Sequence, residues 1–144
     1  GRNNIELINL FVESFENIGE LLELTDIWGG NYPKDRAIIS VLIENGFNIN
    51  KPNWTGRTFL HKCAEEDDVE TADVLLQFGA NIEAIEAVYG ETPLASAARC
   101  GKVKMVTFLK EKGADIFGDS NKPWTQPILI AESKGHVEVM AALK

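Results

Sequence analysis

Gly90-Glu91-Thr92-Pro93-Leu94-Ala95 decides how this chain folds, because the chain repeats it. The phrase stands 34 residues earlier as Gly56-Arg57-Thr58-Phe59-Leu60-His61, and 34 residues later, in altered form, as Trp124-Thr125-Gln126-Pro127-Ile128-Leu129. A second phrase keeps the same beat. Gly46-Phe47-Asn48-Ile49 returns as Gly79-Ala80-Asn81-Ile82 after 33 residues and as Gly113-Ala114-Asp115-Ile116 after 34 more. Self-similarity at this period marks a stack of supersecondary units, each unable to bury its apolar face alone. A stack offers an extended surface for binding rather than a closed pocket for chemistry.

Each position in the phrase has a local physical job. Thr58 and Thr92 stand one residue before a helix, where the hydroxyl satisfies a backbone N–H that has no partner within the helix. Pro93 and Pro127 take the first helical position, where the missing N–H is harmless and φ is already helical. Leu60, Leu94 and Ile128 then point into the stack, backed by Cys63-Ala64 and Ala97-Ala98, whose small side chains let paired helices approach closely. Gly101 and Gly135 end these short inner helices, and Asp67 fills the same slot in the preceding unit. Val69, Val103 and Val137 open the second, outer helices, which Gly79 and Gly113 close.

Upstream the pattern loosens. Ile8, Phe11, Phe15, Ile18 and Leu22, three and four apart, predict helix within residues 5–24. Trp28-Gly29-Gly30-Asn31-Tyr32-Pro33 predicts a turn, and a further helix is expected from about Asp35 to Glu44, stopped by Gly46.

This grammar resembles the ankyrin repeat: a loop glycine, a threonine-proline-leucine-histidine phrase, paired alanines, a glycine turn, a leucine-rich second helix and a closing glycine-alanine-aspartate. The resemblance implies an all-α solenoid of stacked antiparallel helix pairs with hairpin-like loops projecting from it. Residues 1–33 are then an N-terminal helical cap or degenerate repeat. Residues 34–50 hold the outer helix of a first repeat, 51–83 the second, 84–117 the third and 118–144 a fourth, truncated one. The last unit lacks the closing phrase, so the chain is expected to be a fragment of a larger array. Asn50 stands where such proteins often carry an asparagine, hydroxylated in some of them, and Glu83 and Phe117 occupy the matching places later.

The formal charge of −8, from 22 acidic against 14 basic side chains, repels phosphate backbones and anionic lipid, so neither nucleic acid nor membrane is the expected partner. No apolar run approaches the roughly 20 residues needed to span a bilayer. Cys63 and Cys100 make no disulfide framework and suggest reduced thiols in an intracellular setting, cytoplasmic or nuclear, or that of a secreted effector acting inside a host cell.

Candidate catalytic groups all have structural readings. His61 ends the capping phrase and is expected to bond Thr58 and the neighbouring loop, while His136 follows the turn glycine. Neither stands at metal-ligand spacing from another histidine or thiol. Cys63 fills a slot that holds alanine in later units. Cys100 lies beside Arg99 and Lys102, a cationic setting that would favour its oxidation. No phosphate cradle, nucleophile motif or carboxylate pair stands out. The expectation is a non-enzymatic interaction module with no cofactor, metal or small-molecule substrate, or else the targeting or regulatory arm of a larger enzyme or effector.

In the ankyrin family, partner contacts come from loop tips and the exposed side of the inner helices. Carried onto this sequence, the tips hold Trp54, Thr55, Arg57, Val88, Tyr89, Glu91, Lys122 and Trp124, and the inner-helix face holds Glu65, Glu66, Arg99 and Lys134. Trp54 and Tyr89 occupy variable positions with no structural demand for a ring, whereas Trp124, replacing a loop glycine, also reads as loop packing. Aromatic residues and arginine are enriched among interface hot spots. Glu65-Glu66-Asp67-Asp68 is expected to form an acidic edge, with Arg99, Lys102 and Lys104 one unit along. That gradient would orient a bound segment with its basic end over the acids.

Overall fold

The computed structural model describes residues 35–144 and the single position Glu6, so the readings made for residues 5–24 and for the turn at 28–33 lie outside the described residues. Helix α1 spans Arg36–Glu44, and the Asp35 side chain caps it by accepting from Ala37 N–H at 2.8 Å. Three helix pairs follow. They are α2 (Phe59–Glu66) with α3 (Val69–Gln77), α4 (Pro93–Arg99) with α5 (Val103–Glu111), and α6 (Pro127–Lys134) with α7 (Val137–Leu143). A single 3-10 turn, Pro123–Thr125, precedes α6, where Trp124 replaces the loop glycine. All regular elements among the described residues are helical, as the resemblance implied.

Helix α4 packs between α2 and α6, while α5 packs between α3 and α7, so inner and outer helices form two parallel rows. The core is a ribbon between the rows. Leu60, Leu94, Leu75, Met105 and Leu109 are buried to 1% exposure or less, and Cys63, Ala64, Ala97, Ala98 and Ala131 are fully enclosed. Each large side chain so buried contributes about 2 kcal/mol relative to exposure. The alanines contribute by being small, since a larger side chain there would hold adjacent inner helices apart.

One turn recurs within all three pairs. The N–H groups of Asp68, Lys102 and His136 reach back to the carbonyls of Cys63, Ala97 and Ala131 at 2.9–3.0 Å, closing the inner helix in a left-handed cap. Gly101 and Gly135 hold that position at φ +70° and +72°. Asp67 holds it at +57°, the one described residue other than glycine with positive φ. Its carboxylate also accepts from Met105 N–H at 3.1 Å, so it ties its own turn to the start of the next outer helix.

The loops ahead of the inner helices are tied to one another. Ala87 N–H donates to Thr55 carbonyl at 2.9 Å, and Gly56 lies so close that a Cβ there would stand 2.5 Å from the Ala87 nitrogen. At the loop bases, Asn50 Oδ1 accepts from Asn81 N–H and Glu83 Oε1 from Asp115 N–H, both at 2.7 Å. The stack is therefore stitched through its loops as well as its core.

Candidate protein-interaction surface

Each loop tip is shaped by one polar side chain at its start. Asn53 Oδ1 accepts from Thr55 N–H, Arg57 N–H and the Thr55 hydroxyl at 2.7–3.0 Å. That turn pushes Trp54 outward to 87% exposure, while Thr55 stays half-buried. In the next loop Glu86 does the same with a charge. Its carboxylate accepts from the N–H groups of Val88 (2.8 Å), Tyr89 (2.7 Å) and Glu91 (3.1 Å), yet the residue is only 1% exposed. Burial acts to raise the Glu86 pKa. The backbone bonds from Glu91, Val88 and Tyr89, with Arg57 at longer range, outweigh it and hold the carboxyl below its usual value.

Val88 and Tyr89 are thereby presented to solvent on a fixed turn. The Arg99 guanidinium lies 5.8 Å from the Tyr89 ring centroid, within cation–π range. Arg99 is itself held. Its Nε donates to both Glu91 oxygens and its Nη2 to Glu65, all at 3.1 Å, and Glu65 also pairs with Arg57. Burial acts to lower the Arg99 pKa, but the Glu91 bonds and charge overcome that and hold it above its ordinary value.

These contacts change two expectations. Glu91 was expected at a loop tip; instead it turns inward, 3% exposed, with its carboxylate bonded to Ser96 (3.0 Å) and Arg99. The acid run does not form an open edge either. Glu65 is enclosed between Arg57 and Arg99, Asp67 bonds Met105, and Asp68 caps α3 by accepting from Thr71 N–H at 3.2 Å. Glu66 remains exposed, paired with Lys62 at 3.1 Å. Of the expected acid-to-base gradient, Glu65 and Arg99 are absorbed into a network in which carboxylates and guanidiniums alternate: Arg57, Glu65, Arg99, Glu91.

Trp124 is exposed, standing out from the 3-10 turn rather than filling the adjacent loop, and Lys122 and Lys134 are exposed as well. The tip side chains Trp54, Val88, Tyr89, Lys122 and Trp124 therefore share the property of reaching solvent from loops fixed by internal bonds. Sequence reasoning passed over Glu86. Its signal was available: an acid at the loop start, in the role that Asn53 fills one unit earlier.

His61 is fully buried, its Nδ1 accepting from Thr58 N–H at 3.1 Å and its Nε2–H donating to the Glu91 carbonyl at 2.8 Å, as expected of a structural histidine. His136 Nε2–H donates to the Arg99 carbonyl at 2.9 Å, with its ring over Gly101. Neither Cys63 nor Cys100 forms a disulfide; the first is buried and the second half-buried. Among the described residues no helix is long and apolar enough to cross a membrane, and no group of three metal-ligating side chains converges.

Stacked helix pairs joined by bonded loops define a helical repeat protein. A family model described as ankyrin repeats, in three copies, matches residues 31–119, more than half of the chain, and the chain belongs to the ankyrin-repeat family. Ankyrin repeats are protein–protein interaction modules, a non-catalytic fold. The chain is similar to a mouse protein, fem-1 homolog A-like, with 36% identity over 54% of this chain and 12% of that protein. It is similar to the ankyrin repeat and KH domain-containing protein mask-1 of Caenorhabditis elegans, at 30% identity over 76% of this chain and 4% of that protein. It also matches the glycerophosphocholine phosphodiesterase gde1 of Schizosaccharomyces pombe, 32% identical over 61% of this chain and 8% of that protein. The chain thus spans a small part of the length of each relative.

Proposed function

We propose that this chain holds a partner protein through its loop tips and inner-helix face, with Trp54, Val88, Tyr89 and Trp124 as apolar anchors. Thr55, Lys122, Lys134 and Glu66 form the polar surround, while Arg57, Glu65, Glu91 and Arg99 form the charged network beneath Tyr89. The observation that carries this reading is the exposure of Trp54 and Tyr89 on turns locked by Asn53 and Glu86. An exposed ring on a rigid turn loses little conformational entropy when a partner covers it, which is the energetic condition for a hot spot. The test is affinity capture from the source cell with the intact chain and with a Trp54→Ala/Tyr89→Ala variant. A partner retained by the first and lost by the second supports the proposal; identical captures refute it.

A second reading rests on how little of each relative the chain spans. One of them is named as a phosphodiesterase, so a repeat block of this kind occurs within at least one protein that carries a catalytic name. In this reading the chain is the targeting or regulatory arm of a larger polypeptide. Residues flanking 1–144 in the genome of origin decide between the two. Two cysteines outside any disulfide fit a reducing compartment under either reading.

A further inference from the structure

Among the described residues, the two gaps between successive loop bases share the same accepting bonds but use different side chains, and only Asn50 adds a donor bond, from Nδ2 to the Gly79 carbonyl at 3.2 Å. In the first, Asn50 Oδ1 accepts from Asn81 N–H at 2.7 Å, and Asn81 Oδ1 turns its own loop by accepting from Glu83 N–H at 3.0 Å. In the second, Glu83 Oε1 accepts from Asp115 N–H at 2.7 Å, and Asp115 Oδ1 accepts from Phe117 N–H at 2.9 Å. Amides suffice for both bonds in the first gap. The carboxylates of the second therefore bring two charges that the backbone does not require. Asp119 adds a third at the same gap, and Lys122 is the one cation among the described residues that line it.

Between these loops lies a cleft of about 280 Å³, open to solvent. Its walls are mostly apolar, with Ile85 68% exposed along one side and Gly90 leaving room where a side chain would otherwise stand. Mostly apolar surface bordered by carboxylates is the complement of a lysine or arginine side chain, which lays its stem on apolar surface and keeps its charge at a polar edge. The chain's net charge of −8 draws such a segment toward the surface as a whole. An acidic partner would meet three carboxylates, and a purely apolar one would desolvate them without compensation.

We propose that this cleft docks a basic, leucine-containing segment of a partner protein. One arginine or lysine is held among Glu83, Asp115 and Asp119, and a neighbouring aliphatic side chain rests on Ile85. The site shares only Lys122 with the tip-and-face residues above and stands or falls independently of them.

The test titrates the isotope-labelled chain with a blocked short peptide of alternating arginine and leucine, following backbone amide shifts at near-physiological salt. Expected are shifts centred on Ile85, Gly90 and Gly118. Glu83→Gln/Asp115→Asn restores the amides of the first gap and keeps its bonds, and should weaken binding about fivefold, as should Ile85→Ser. Asp119→Asn is the milder variant should the double one fail to fold. A peptide with glycine for leucine, or spermine, should bind at least about fivefold more weakly. Unchanged affinity in the variants, equal binding of spermine or the arginine-glycine peptide, shifts centred elsewhere, or no binding at all would each overturn the proposal.

Discussion

The imidazole of His61 crosses from one helix pair to the next and donates from Nε2 to the Glu91 carbonyl at 2.8 Å. Its other nitrogen accepts from Thr58 N–H, so a single buried ring satisfies a helix N-terminus in its own unit and the loop of the following one. Glu91 in turn positions Arg99, and Arg99 lies beneath Tyr89. A core residue is thereby linked to an exposed tip.

The pH dependence of stability should carry the mark of this ring. Burial lowers the His61 pKa below its ordinary 6.5, with the Glu91 bond and the Glu86 charge opposing. The unfolded chain therefore takes up the proton first as pH falls. The stability contribution is complete above about 6.5 and is lost as pH drops through that value toward the lowered folded pKa. Urea midpoints at pH 7.5 and 5.5 should differ in the native chain and converge in His61→Gln. Equal pH slopes in the two would show that the ring does not govern this range.

Removing the Glu86 carboxylate should loosen one loop selectively. Glu86→Ala leaves three N–H groups without their acceptor and should cost about 2–3 kcal/mol, because the bonds are charge-assisted and sheltered. Hydrogen exchange at Val88, Tyr89 and Glu91 should accelerate well beyond that at Thr55 and Arg57, whose turn rests on Asn53. Uniform acceleration would mean global destabilisation instead.

Asp67 combines a strained φ of +57° with the bond to Met105 N–H. Asparagine tolerates the left-handed region and keeps an acceptor oxygen, so Asp67→Asn should lie within about 0.5 kcal/mol of the native chain. Asp67→Ala loses both advantages and should cost about 2 kcal/mol. Denaturant midpoints that place the two variants together would refute this account.

Gly56 and Gly79 separate conformational from steric cost. Both have positive φ, but a Cβ on Gly56 meets Ala87 whereas one on Gly79 meets nothing within 4 Å. Gly79→Ala should cost about 1 kcal/mol, the penalty of the left-handed backbone alone. Gly56→Ala should cost at least about 2 kcal/mol, because the bond from Ala87 to Thr55 must also give way. Similar thermal midpoints for the two variants would indicate that the loops separate freely.

The fold was legible because its instructions are local. Thr92 caps α4 by accepting from Ala95 N–H at 3.2 Å, Pro93 starts that helix, and Gly101 turns the chain; each acts within a few residues of itself. Such effects recur wherever the phrase recurs, so three imperfect copies were enough to establish the helix pairs and their family. The proposed anchors Trp54 and Tyr89 were nameable for a related reason, since nothing in the repeat grammar calls for a ring at either place.

What the sequence alone determined, then, is the alternation of inner and outer helices, the turns between them and the buried stripe. Only the tertiary structure decided that Glu91 faces inward, that Glu65 lies between two arginines, and that Glu86 builds the tip carrying Tyr89. It also gathered Glu83, Asp115 and Asp119 around one cleft. The physical reason is distance along the chain. The pairs that fix these roles, such as Arg99 with Glu65 and Asp115 with Glu83, lie 34 and 32 residues apart, and they meet only when one unit has stacked on the next.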